Sequence, residues 1–194
     1  MKKILTLAAL AATVAVSPAF AQDGALSQTS SQADVDVTAV IPRMVRISGL
    51  EDLTLNVTAA ALSNASGAQN LGQKFCVYSN DTLQGLYKLA VLGQAGAELN
   101  TGEAKFSLNG PEQQTLSFAL WTSDDANNVY GGGTRSPGVA KNGKTTAGNQ
   151  PRTTTTNCNG NDNAAMNVRF TNARLLAAVA GTYTGTLTFV VSPL

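Results

Sequence analysis

Apolar residues recur at every second position through most of the chain. Ala33, Val35, Val37, Ala39 and Ile41 share one side of an alternating run that ends at Pro42. The same period returns in short runs at 43–50 (RMVRISGL), 53–59 (LTLNVTA), 74–80 (KFCVYSN), 87–93 (YKLAVLG), 104–110 (AKFSLNG), 116–124 (LSFALWTSD) and 164–170 (AAMNVRF). In the closing run, 181–194 (GTYTGTLTFVVSPL), Tyr183, Leu187, Phe189 and Val191 lie on one face. Period-two alternation bounded by Gly, Asn, Asp and Pro predicts short strands with one buried face, and their number and spacing predict an all-β sandwich. Helical periodicity is confined to 171–181 (TNARLLAAVAG), expected as a short helical turn or connection between the last two strands. The Gly-, Asn- and Thr-rich stretch 127–163 predicts long turns with at most one weak hairpin.

Residues 1–21 read differently. A basic start (Lys2, Lys3), an apolar stretch from Ile4 to Val16 and the small-residue site Ala19-Phe20-Ala21 form the pattern of a secretory signal peptide, expected to be removed. The 173 residues that remain suit a single domain, and the expected route is export into the periplasm. Without Lys2 and Lys3 the balance is 11 basic against 12 acidic residues, which gives no electrostatic footprint for nucleic acid, and no run is long enough to insert in a membrane. Only 13% of residues are charged, so the surface falls to Thr, Asn, Ser, Gln and Gly, as suits a protein that packs into assemblies. In an oxidising compartment the two cysteines, Cys76 and Cys158, are expected to form one disulfide, closing a loop worth roughly 4 to 5 kcal/mol in the chain-entropy model.

Candidate chemistry is sparse. The chain has no histidine, which excludes Ser-His-Asp and Cys-His catalysis and His-ligated metal, so no enzyme activity, metal or cofactor is expected. The run 138–145 (GVAKNGKT) matches a phosphate-cradling loop letter by letter, but that chemistry needs a strand before it and a helix after it, and its flanks suggest neither. Paired carboxylates could still serve glycoside hydrolysis at Asp124-Asp125 or Glu51-Asp52, but both pairs read first as turn residues, and the 159–163 run near Cys158 (NGNDN) could offer oxygens to calcium but also reads first as a turn. Tyr78, Tyr87, Trp121 and Tyr130 could stack on a sugar, although Trp121 continues an alternating strand and is expected at a core or edge position.

The two ends are complementary. The strand at 33–41 is set off from the body by Pro42, and the closing strand needs a neighbour on its far side. The first could lie beside the last within one molecule, closing an ordinary sandwich, or beside the last strand of another, which is strand addition and propagates head to tail. Pattern alone leaves both open. The leader ADVDVTAVIP, FCVYSND at 75–81, LSFALWTSD and above all AGTYTGTLTFVVSPL at 180–194 resemble subunits of chaperone-usher pili, of the alpha type and more distantly the archaic type. The cysteine placement departs from the best-known subunits of that family, which carry both cysteines nearer the N-terminal half.

The resemblance implies an incomplete immunoglobulin-like β-sandwich lacking its last strand, with an N-terminal donor-strand extension: residues 1–21 removed, 22–42 the leader and donor strand, 43–194 the pilin domain. The implied partners are identical or homologous subunits, a periplasmic chaperone that lends a strand, and an outer-membrane usher where the next subunit's leader replaces it. Val35, Val37, Ala39 and Ile41 would be the inserted side chains. Tyr183, Leu187, Phe189 and Val191 would line one edge of the acceptor groove and pair with the chaperone, with the run at 43–50 supplying the facing edge. The length favours a shaft subunit over a two-domain tip adhesin. A secreted closed sandwich of the spore-coat-U-like kind and an extracellular carbohydrate-binding module using Trp121 are the alternatives.

Overall fold

The computed structural model describes residues 24–81, 84–96, 105–144 and 153–194. The expected signal peptide at 1–21 lies outside them, as does Thr145 of the phosphate-loop match. The chain divides into two units, Met1–Ile41 and Pro42–Leu194. In the first, the described residues form no strand; Asp34 makes a single bridge. Val35, Val37, Val40 and Ile41 are 72%, 90%, 74% and 76% exposed, so the alternation at 33–41 is present in sequence with no buried face.

Among its described residues the second unit is all-β apart from one short helix and two 3-10 turns. Its strands are β1 (Val45–Ser48), β2 (Ala68–Ser79), β3 (Tyr87–Leu92), β4 (Phe106–Asn109), β5 (Thr115–Ser123), β6 (Gly133–Thr134), β7 (Lys141–Lys144), β8 (Ala164–Thr171) and β9 (Thr188–Ser192), with α1 (Asn172–Ala177) between the last two. One sheet runs β1-β2-β8-β5-β4, with β6 added to β5; the other runs β7-β3-β9. Every ladder is antiparallel.

Alternation decides what faces inward. Leu116, Phe118 and Leu120 of β5, Ala164, Met166, Val168 and Phe170 of β8, Phe75 and Val77 of β2, and Tyr87, Leu89 and Val91 of β3 form one buried core fed by both sheets. Phe118 sits between Phe106 and Phe170, with ring centres 5.7 and 5.3 Å away, and Phe75 meets Phe189 edge-on at 5.9 Å across the two sheets. The outer face of the large sheet is also covered in part. A Cβ on Gly72 would stand 2.2 Å from Val129 Cγ1, so only glycine lets the loop after β5 lie on β2.

Side chains stand in for strands where ladders stop. The Val77 N–H donates to Asn163 Oδ1 and its carbonyl accepts from Asn163 Nδ2, both at 2.9 Å, which satisfies β2 beyond its pairing with β8. Cys76 and Cys158 are bonded, fixing the 3-10 turn Cys158–Gly160 to the same strand. Asn172, 2% exposed, opens α1 and closes the loop before β2: Nδ2 donates to the Ala61 and Asn64 carbonyls at 2.9 and 2.7 Å, and Oδ1 accepts from Gln69 at 2.8 Å. Asn172→Ala removes these three hydrogen bonds, leaving Gln69 on the Ala61 carbonyl and the Gly67 N–H on that of Asn64, and is expected to cost about 1 to 3 kcal/mol, read as a shift of the urea midpoint at unchanged slope.

Several expectations need correction. The run at 53–59 forms no ladder among the described residues, although Leu53 and Leu55 do turn inward against the core. The strand expected from Lys74 begins at Ala68. Among the described residues of 127–163 no two strands pair with each other: β6 pairs with β5, and β7 pairs with β3. The connection at 171–181 does contain a helix, α1.

Candidate functional site

β9 alternates as its sequence demands, with Phe189 and Val191 half-buried against the core and Val190 outward, 44% exposed. It pairs with β3 on one side, Val91 opposite Phe189 and Leu89 opposite Val191, and forms the edge of its sheet on the other. The chain leading into it, 178–187, has no ladder. It is tied to β4 at one point, where Asn109 and Thr184 exchange backbone hydrogen bonds of 2.8 Å in both directions. Tyr183 lies against Gly110, where a Cβ would stand 2.1 Å from the ring, and its hydroxyl donates to the Val179 carbonyl at 3.0 Å.

Across from this segment runs Leu50–Val57, also without a ladder. Gly49, at φ +80°, takes the chain out of β1 and away from β2, a conformation that L side chains rarely adopt. Between the two segments lies a groove of about 960 Å³. Leu71, Leu116, Phe118, Met166, Val168 and Phe170 reach it from β2, β5 and β8; Leu53 and Leu55 line one side and Tyr183, Leu187 and Phe189 the other. An apolar floor between two segments that form no ladder could take a further extended segment, whose alternate side chains would fill the floor.

The structure thus brings Tyr183, Leu187 and Phe189 together in the groove, while Val191 packs against the core beyond the groove's lining. The facing edge differs from the expectation. Of residues 43–50, Val45–Ser48 pair with β2 as β1, Ile47 opposite Val77, while Leu50 reaches the groove and the edge continues from it to Val57. Leu53 and Leu55 were legible as an alternating run; their membership of the groove was not. Val35, Val37, Ala39 and Ile41 stand exposed in the first unit.

The other candidates fall into place singly. Within the phosphate-loop match, residues 141–144 form strand β7 and pair with β3, where that chemistry needs a loop whose backbone N–H groups are turned to the phosphate. Asp125 accepts from the Asn127 N–H at 2.8 Å in a turn at the end of β5, and Glu51 and Asp52 are exposed on the groove rim. Among the described residues no group of His, Cys, Asp or Glu could hold a metal ion. Trp121 is half-buried on the outward face of β5 with the Arg169 guanidinium 5.9 Å from its ring. Tyr87 is 3% exposed and belongs to the core, so the four aromatic residues do not share one surface. Burial, reinforced by the charge of Asp124 and opposed by Arg135, pushes the Tyr87 phenol far above its ordinary range. Among the described residues no helix is long and apolar enough to cross a membrane.

No family model matches the sequence, and no curated protein matches it. Among solved structures, a chain from a chaperone–tip adhesin complex described as vital for synergistic activation of CFA/I fimbriae biogenesis aligns with a TM-score of 0.43 and 16% identity, over 78% of this chain and 41% of that one. This chain therefore spans about two fifths of the length of that structure.

Proposed function

We propose that this protein is a structural subunit of a chaperone-usher pilus that polymerises by donor-strand exchange into a surface fibre used in adhesion or biofilm formation. The observation that carries the reading is the groove: an apolar floor reached by Phe118, Met166, Val168 and Phe170, flanked by Leu50–Val57 and 178–189, neither of which completes a ladder on the groove side. In this reading the unit Pro42–Leu194 is an immunoglobulin-like sandwich short of one strand. A periplasmic chaperone lends that strand after export, and at an outer-membrane usher the leader of the next subunit replaces it. The leader supplies what such a donor needs, a row of aliphatic side chains at Val35, Val37, Ala39 and Ile41 whose exposed members gain by burial.

A head-to-tail contact of this kind does not close on itself, so it builds filaments. The fibre should persist, because a donor can leave only by stripping a buried floor and two backbone ladders together.

Val37→Asp tests the reading. Val37 is 90% exposed, so the substitution leaves the fold of the subunit alone, yet an inserted aspartate would place a charge on the apolar floor. The wild-type chain refolded from denaturant is expected to form a ladder of multimers by light scattering, and Val37→Asp to stop at monomer with unchanged circular dichroism. Equal multimerisation by both proteins would rule out this leader as the donor.

A further inference from the structure

Where the groove takes the beginning of β5, a second concavity forms at its end. Thr122, Ser123, Asp124 and Asn128 from β5 and its turn, Gly132 to Arg135 around β6, and Lys141 and Gly143 from β7 enclose a pocket of about 300 Å³. That is the lower bound of ordinary small-ligand sites and of the size of one sugar ring.

Its chemistry is set by Arg135, 4% exposed. The guanidinium donates through Nε to Thr122 Oγ1 and through Nη1 to the Leu89 carbonyl, at 3.2 Å. These bonds use two of the five N–H donors an arginine carries, and no carboxylate pairs with it among the described residues. The nearby phenol of Tyr87 is neutral at physiological pH, as any tyrosine is, and burial raises its pKa further. Lys141 stands at the rim, its Nζ held by the Thr134 carbonyl at 2.8 Å. Against these two cations the pocket holds one anion, Asp124, so the described lining carries a net positive charge. A buried cation with donors to spare, at the wall of a polar concavity, favours an anion that brings its own acceptors. The remaining lining of hydroxyls, an amide and the Asp124 carboxylate suits a ligand that also carries hydroxyl groups.

We propose that this pocket binds a sugar acid, with the carboxylate on Arg135 and Lys141 and the hydroxyls on Asp124, Asn128 and the threonines. Because Leu116 and Phe118 line the groove while Thr122 and Ser123 line the pocket, filling the groove leaves the pocket open, and the site would be repeated along an assembled fibre.

Saturation-transfer NMR reads the ligand and works on monomer or polymer alike, so its result stands whether or not the chain forms fibres. With the full chain, galacturonate is expected to show transfer while galactose and acetate show little, and Lys141→Ala is expected to weaken galacturonate about tenfold with the fold unchanged. Arg135→Gln should abolish binding; if that variant does not fold, Lys141→Ala decides alone. Absence of transfer from galacturonate, equal transfer from galactose, or an affinity untouched by Lys141→Ala would each overturn the proposal. Galacturonate binding no better than acetate would overturn the assignment to a sugar acid.

Discussion

Appending a second copy of residues 33–42 after Leu194 through a flexible linker is expected to raise the thermal midpoint by about 10 °C or more and to keep the chain monomeric. The size of the effect follows from what the groove leaves unsatisfied. Val35, Val37 and Ile41 are largely exposed where they stand, and full burial of such a side chain stabilises by about 1.5 to 3 kcal/mol. The groove's own side chains gain as well, since Leu53, Leu55, Leu187 and Phe189 are only half-buried at its edges. Ordering the appended strand opposes this. The linker limits that cost by making the encounter intramolecular, at an effective concentration in the millimolar range. A net gain near 5 kcal/mol corresponds to roughly 10 to 20 °C for a domain of this size.

The control is the same extension with its Val35 and Val37 equivalents changed to aspartate, which keeps the linker and the length and removes the apolar face. A rise seen with both extensions would point to a non-specific effect of the tail. A wild-type chain that is already a stable monomer, and whose midpoint ignores the unaltered extension, would mean that the groove does not accept the leader. The pilus reading would then fail.

The strands that could be read from sequence are those whose core-facing positions carry the apolar alternation, whether the other face is exposed as in β3 or covered as in β5 and β8. In β3, β5 and β8 the inward residues are apolar, and the bounding Gly, Asn and Asp residues mark their ends to within a residue or two. The first half of β2 was hidden by its polarity. Gln69, Asn70, Gly72 and Gln73 are strand residues because Gly72 admits the Val129 loop, Asn70 accepts from Asn167 Nδ2 at 3.0 Å, and Gln69 serves Asn172; none of these partners is near in sequence. Residues 53–57 failed in the opposite sense. Alternation reports that one face meets a core, and Leu53 and Leu55 do; it does not report that a neighbouring strand exists to complete the ladder. That difference separates a wall of the groove from an interior strand. That the facing edge runs from Leu50 to Val57, sharing only Leu50 with the expected run 43–50, depended on the turn at Gly49, a backbone angle that sequence pattern does not carry. The Arg135 pocket was invisible for a simpler reason: 122–128 and 132–143 meet only once β6 and β7 have paired with different sheets.

Removing the disulfide is expected to lower stability by about 4.5 kcal/mol, because it closes a loop between positions 82 residues apart and the entropy released to the unfolded chain grows with that length. Cys76 and Cys158 are 1% and 4% exposed, so the Cys76→Ser, Cys158→Ser double variant is the cleaner probe than a single one, which would leave a buried thiol. The native state loses something too. The turn at Cys158–Gly160 leads directly to Asn163, whose side chain completes Val77, so loosening the turn weakens the end of β2 that β1 also depends on. Neither cysteine lines the groove, and the disulfide and the added strand should therefore act additively. The double variant alone is expected to unfold at a midpoint about 10 °C or more below wild type, and the same variant carrying the appended strand to recover most of that loss. If the appended strand instead gave no recovery in the cysteine variant while stabilising the wild type, the cross-link would be a precondition of the groove's shape, and its oxidation would have to precede any strand binding. A loss below about 1 kcal/mol would mean that the unfolded chain is already held compact by other contacts, so that the loop-entropy account does not apply here.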